Sequence, residues 1–145
     1  KPALLILASF LGWLNPQLST LDHRQHELQT ILGLVRTERL VTVLGTGGAG
    51  KTRLAIEVAR GAGNEFADGV CFLDLTRLTV GDDPWTEVAR SLGISLSGGR
   101  SPAEQVCTHL ASLDMLIVLD NCEHVLDGIA QLTAQLLVTA PSVHI

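Results

Sequence analysis

Eight consecutive residues, Gly45-Thr46-Gly47-Gly48-Ala49-Gly50-Lys51-Thr52, constrain the fold of this chain more than any other feature. Glycine at this density is unfavourable inside either a helix or a strand, so the segment must be a loop. What flanks it is ordered by pattern. Leu40 to Leu44 is an apolar run that reads as a buried strand. Leu54, Ala55, Val58 and Ala59 repeat at helical spacing on the other side, with Gly61 expected to stop that helix. Strand, glycine loop, helix is the setting of G-x-x-x-x-G-K-[ST], the phosphate-binding loop. Glycines let successive backbone N–H groups turn inward onto phosphate oxygens, and the helix N-terminus adds free donors and the positive end of its dipole. In that chemistry Gly45, Thr46, Gly47, Gly48, Ala49 and Gly50 form the cradle. Lys51 lies over the β- and γ-phosphates, and the Thr52 hydroxyl ligates Mg²⁺.

The same glycines satisfy a second pattern. Gly45, Gly47 and Gly50 fit G-x-G-x-x-G, the dinucleotide fingerprint, and Asp74 stands near the end of the next apparent strand, where a ribose-binding acid is expected. Lys51-Thr52 favours the phosphate loop, because the dinucleotide fold has no use for that pair at the helix start.

At 145 residues the chain is one domain at most. Hydrophobic residues make up 46% and aromatics only 3%, so its core must be aliphatic, which suits parallel strands buried between helices. A net charge of −5 with scattered basic residues argues against direct nucleic-acid contact from this segment. Cys71, Cys107 and Cys122 are an odd number in unlike settings, which speaks for a reducing cytoplasm rather than a disulfide framework. Cys107-Thr108-His109 and Cys122-Glu123-His124 are each C-x-H, but residues two apart on a helix do not share a face and no C-x-x-C supports a zinc site. The apolar stretch Ala3 to Leu14 is too short to span a bilayer and lacks a small-x-small cleavage pattern after it. It reads as a docking helix or part of a preceding domain, and Asn15 to Thr20 as a turn or linker.

Downstream, strands and helices alternate. Leu28, Ile31, Leu32 and Val35 mark an amphipathic helix; Val70 to Leu75 a strand; Pro84 to Leu92 a helix with proline in its first turn. Ser101, Pro102 and Glu104 form a capping box that opens another helix. Met115 to Leu119 is a strand ended by Asp120; Val125, Ile129, Leu132 and Leu136 mark a long helix; Val143 to Ile145 begins a further strand. This order predicts an α/β fold, a parallel sheet with helices on both faces and ligands at the carboxyl ends of its strands.

Asp120, after four apolar residues at a strand end, has the Walker B form, a carboxylate that holds Mg²⁺ opposite Thr52. Many buried strands end in Asp to cap the following helix, and the phosphate loop upstream is what turns the balance. The next residue, where a water-orienting acid often stands, is Asn121, which cannot accept a proton. Glu123 is the candidate to take that part, against a plain first-turn acid facing the helix dipole; His124 reads as a surface or packing histidine.

The stretch Arg39-Leu40-Val41-Thr42-Val43-Leu44 through Thr52-Arg53-Leu54-Ala55 resembles the STAND-class signalling ATPases, the NB-ARC-like module of bacterial LuxR-type and AfsR-type regulators. Gly69 to Leu75 is similar to their second strand, and Leu116 to Asp127 to their Walker B segment. The likeness runs from about Asn15 to the end. It implies a P-loop NTPase fold of the ASCE/STAND type, with Lys51, Asp120 and Glu123 in catalytic roles and ATP or ADP with Mg²⁺ as ligands. Where that family carries Phe-Val-Gly-Arg for its adenine pocket, this chain has Leu21-Asp22-His23-Arg24, which implies Arg24 as a nucleotide contact.

In that family the fourth strand is inserted between the first and third, so the resemblance implies a C-terminally truncated domain that breaks off in mid-sheet at Ile145. The division expected is an N-terminal apolar segment and linker over 1–20 and a partial NTPase domain over 21–145. The expected function is a nucleotide-dependent switch in a multidomain, cytoplasmic transcriptional regulator, hydrolysing slowly. Its expected partners are nucleotide and the other domains of the parent regulator, with self-association through unpaired strand edges and no membrane contact. A decayed fragment that binds little nucleotide, a P-loop kinase and an NAD-binding domain are the alternatives.

Overall fold

The structure, a computed structural model, describes residues 4–7 and 20–145, with side chains from residue 24 onward. Five strands and five helices follow in the order β1 (Leu4–Leu7), α1 (Thr20–Thr37), β2 (Val41–Leu44), α2 (Lys51–Ala62), β3 (Val70–Asp74), α3 (Pro84–Ser91), α4 (Pro102–Leu110), β4 (Met115–Asp120), α5 (Leu126–Thr139) and β5 (Val143–His144). All strand pairings are parallel: β1 with β2, β3 with β4, and β4 with β5. The two groups are joined by hydrogen bonds on either side of Ile145. Its N–H donates to Arg39 O at 2.8 Å, and its carbonyl accepts from Val41 N at 2.9 Å. Ile145, the residue after β5, thus links a two-stranded and a three-stranded sheet, and the spatial order is β1-β2-β5-β4-β3, with β5 between the strand before the glycine loop and the strand that ends in Asp120.

Alternation along the strands sorts side chains to two faces. Val41 and Val43 of β2, with Leu116 and Val118 of β4, pack beneath α1 and α2 against Ile31, Leu32, Val35, Val58 and Ala62. Met115, Ile117 and Leu119 turn the other way, with Cys71 and Leu73 of β3, to meet α3, α4 and α5. This aliphatic, two-sided core matches the composition.

Four local expectations change. Gly61 does not stop α2, which runs on to Ala62 with Gly63 as its C-cap. A Cβ at Gly61 would come within 3.1 Å of Leu32 Cδ1, so this glycine lets α1 and α2 approach closely. The strand after Leu40 is only half covered, and Leu44 is 39% exposed. Within the apolar stretch Ala3 to Leu14, Leu4–Leu7 is a strand rather than a docking helix, registered Leu4 to Val41 through Leu7 to Leu44. It satisfies the backbone groups along the edge of β2 that β5 leaves open. The other residues of that stretch, and 15–19 of the expected turn, lie outside the described residues. Finally, α1 starts at Thr20, so Leu21 to Arg24 lies within its first turns rather than before it.

Candidate phosphate and cation site

The glycine loop bridges β2 and α2. Gly48 and Gly50 take φ values of +77° and +79°, which an L side chain adopts only with strain. Gly50 is also the N-cap of α2, with no side chain bonded to the first-turn N–H groups and no acid in that turn. The contrast with its neighbours is chemical. Asp83 caps α3, Ser101 and Glu104 box α4, and Asp127 lies in the first turn of α5. The dipole of α2 thus lacks a negative partner from its own first turn. Lys51 folds back over the loop, its Nζ donating to Gly45 O at 2.9 Å and Thr46 O at 3.1 Å. A Cβ at Gly45 would lie 3.6 Å from Lys51 Cδ and 3.7 Å from Ala49 Cβ, so the loop curls tightly around the lysine stem. Thr52, the second residue of α2, is exposed.

Arg24 reaches this loop from α1. A Cβ on Gly50 would sit 3.0 Å from Arg24 Nη2, which shows how closely the guanidinium lies over the cap. Between the helices is a cavity of about 230 Å³ lined by Arg24, Leu28, Ala49, Gly50, Leu54 and Glu57 among others. The cradle, with its two left-handed glycines, folded-back lysine and neighbouring guanidinium, fits a polyphosphate by donor chemistry.

Asp120 ends β4. Ile145, opposite Leu40, the residue before β2, stands beside Ile117 when the β4–β5 register is continued by one residue. Counting forward places Val43 level with Asp120, so the carboxylate and the start of the glycine loop share the carboxyl end of the sheet. Two strand spacings separate them, about 10 Å between backbones. Asp120 does not cap α5, whose N-cap position is Val125 with no side-chain bond. Glu123 is exposed in the turn before α5 and is not in that helix's first turn, where the acid is Asp127. His124 packs as expected, its Nε2 lying 2.7 Å from Leu78 O.

Two features were not read from the sequence. Asn121 is the only non-glycine with positive φ among the described residues, at +57°. Its Nδ2 donates to Asp74 Oδ1 at 3.0 Å and Thr76 Oγ1 at 3.1 Å, with a longer 3.4 Å approach to Asp120 Oδ2. Every neighbour is an acceptor, so the amide nitrogen must face them. Asparagine directly after a strand end was the available signal, since Asn tolerates the left-handed region better than other side chains. Asp74 also accepts from the Thr76 backbone N–H at 3.0 Å and from the Thr76 hydroxyl. Those bonds, first from Thr76 and then from Asn121, hold its carboxyl down at about 2. Asp74 is three strand positions from β2, about 14 Å away. A ribose-binding acid of the dinucleotide fingerprint stands on the strand adjacent to the loop strand instead.

No family model matches the chain, and no solved structure does. Among curated proteins it is 43% identical over 112 residues to a protein of Mycobacterium tuberculosis named "Putative HTH-type transcriptional regulator", and equally to one of the same name from Mycobacterium bovis. That match covers 77% of this chain and 12% of the regulator. It is 33% identical over 118 residues to a second M. tuberculosis protein, named "Uncharacterized protein", covering 81% of this chain and 30% of that one. The chain thus spans about an eighth of the length of the proteins named as regulators and under a third of the second protein. No helix among the described residues is long and apolar enough to cross a membrane.

Proposed function

We propose that this chain is the ATP/ADP–Mg²⁺ binding module of a multidomain transcriptional regulator, of the P-loop, STAND-class type, with its other domains as partners and the cytoplasm as its compartment. One observation carries the reading. A lysine at the start of α2 is folded onto the carbonyls of a left-handed glycine loop, and a carboxylate ends the strand two positions away at the same carboxyl edge of the sheet. The position of β5 between those strands, and the similarity to proteins named as HTH-type regulators, support it.

In this reading Gly45 to Gly50 offer backbone N–H groups to the phosphates, and Lys51 leaves its loop carbonyls to meet the β- and γ-phosphates. Thr52 and Asp120 hold Mg²⁺, which neutralises phosphate charge when bound. Arg24 borders the cavity beside the cap, where the nucleoside is placed. Glu123 is the nearest acid in sequence that could orient water, and its exposed turn suits a slow timer better than a fast hydrolase.

Calorimetric titration tests this. Binding of ATP or ADP that needs Mg²⁺ and exceeds binding of GTP is expected. Lys51→Ala should lower ATP affinity roughly tenfold or more, since a charge-assisted bond contributes about 1.5–3 kcal/mol. Binding of NADH without ATP, or unchanged ATP affinity in Lys51→Ala, overturns the assignment.

A further inference from the structure

In-register parallel strands bring two acids together. Asp74 on β3 pairs with Asp120 on β4, so both side chains leave the same face at the same end of the sheet. Neighbouring strands are about 4.8 Å apart between backbones, so the two carboxylates are neighbours across the β3–β4 ladder. Between them stands one neutral donor. The Asn121 amide reaches Asp74 Oδ1 at 3.0 Å and Asp120 Oδ2 at 3.4 Å, and it reaches them because the backbone has turned left-handed directly after β4.

We propose that Asn121 is a positioning residue that assigns unlike roles to this carboxylate pair, tying Asp74 into the β3 turn and leaving Asp120 as the cation ligand. The inference rests on the Mg²⁺–nucleotide reading above. The division is visible in the bonding. Asp74 Oδ1 accepts from the Thr76 backbone, the Thr76 hydroxyl and Asn121, whereas among the described residues the Asp120 carboxylate receives only the long contact from Asn121, and its backbone carbonyl accepts from Leu75 N at 3.0 Å. The direction of the amide matters too. β3 lies on the far side of β4 from β5 and β2, so Asn121 is turned away from the glycine loop. An acid placed at this position would add a third carboxylate to the pair and would not face the phosphates.

The test compares the wild-type protein with Asn121→Gly, Asn121→Asp and the charge-neutral exchange Asp74→Asn/Asn121→Asp. The readout is the ratio of ATP dissociation constants in EDTA and in Mg²⁺, with urea unfolding alongside. Glycine accepts the left-handed backbone, so Asn121→Gly should fold. Its Mg²⁺ dependence should fall roughly tenfold or more, the usual size of a lost partner behind a metal ligand. Asn121→Asp should lose as much. The exchange removes the third carboxylate of Asn121→Asp and returns an amide to the cluster from position 74, so it should recover part of the lost ratio. A residue that mattered only for folding would weaken binding equally with and without metal and leave the ratio unchanged. Retained wild-type Mg²⁺ dependence in Asn121→Gly, or an exchange variant no better than Asn121→Asp, overturns the proposal alone. A wild-type protein that binds no ATP in either condition overturns the nucleotide reading and this inference with it.

Discussion

Arg39 ties β5 to the end of α5, and its removal should be more damaging than an ordinary surface substitution. The guanidinium spreads over three carbonyls, donating to Leu137 O at 2.8 Å, Ala140 O at 2.6 Å and Val143 O at 3.2 Å. The first closes the last turn of α5, the second lies at its C-cap, and the third belongs to β5. Ala140 and Val143 are fully buried, so water would not readily replace the lost donors. A hydrogen bond to a charged group contributes about 1.5–3 kcal/mol, and a cation at a helix C-terminus about 0.3–1 kcal/mol more. The three bonds share one half-buried side chain and Ala140 O keeps a bond from Val143 N, so they do not add fully. We expect Arg39→Ala to cost about 2–4 kcal/mol. Paired urea titrations measure it, followed by the tryptophan fluorescence of a Trp13→Phe background so that the signal is that of Trp85, which is buried in the α3 side of the core. Arg39→Lys, with a point charge in place of a fork, should recover less than half of the loss. A cost for Arg39→Ala below roughly 0.5 kcal/mol, the size of an ordinary surface substitution, would refute the reasoning.

Gly61→Val should destabilise by about 1–3 kcal/mol by forcing α1 from α2, because even a bare Cβ meets Leu32; unfolding equal to wild type would show that Leu32 simply rotates away. Gly50→Ala puts a side chain at φ +79° and displaces the Arg24 guanidinium from the cap, so the backbone strain should cost about 1–2 kcal/mol and ATP binding should weaken, as read by urea unfolding and calorimetry. Asp74 has a depressed carboxyl, so its contribution to stability is fully present above the ordinary value of 3.8 and is lost as pH falls through about 2. Side-chain NMR should find its midpoint near 2, and a midpoint near 3.8 would mean that the Thr76 and Asn121 bonds are absent in solution. Asn121→Asp should not speed ATP hydrolysis, since the side chain points toward β3; a clear rise in steady-state turnover would place this position beside the attacking water.

The strand, loop and helix around Gly45 to Thr52 were legible because they depend on local chemistry: four glycines between two periodic apolar patterns. The capping box at Ser101 and Glu104 was legible for the same reason, since its bonds close within one turn. Leu4–Leu7 was not. An apolar run of that length fits a helix or a strand, and the decision is made by the open edge of β2, which lies more than thirty residues away in sequence. Gly61 was misread through a similar blindness. Near a helix end, glycine signals termination, and only the Leu32 side chain from another helix shows that the position is kept small for packing.

The same distinction divides the site. Lys51, Thr52 and Asp120 could be named from sequence because each follows a short pattern, but the connection of Asp120 to Asp74 depends on strand register, and no pattern in either segment records it. What joins the two halves is β5 and its surroundings. Arg39, directly ahead of β2, holds the C-terminal end of α5, while His144 of β5 holds the end of α1, its Nδ1 lying 2.8 Å from Val35 O and 3.1 Å from Glu38 O. Both facing atoms are carbonyl oxygens, so Nδ1 must carry the proton and donate. Its ring also meets Phe66 edge-on, with centroids 5.1 Å apart. Helices on opposite faces of the sheet are thus anchored from neighbouring segments: α5 by Arg39, two residues before β2, and α1 by His144 of β5. A shift of β5 along β4 would therefore move both helix ends and change the level of the glycine loop relative to Asp120, which couples the geometry of the loop and of that carboxylate to one short central strand.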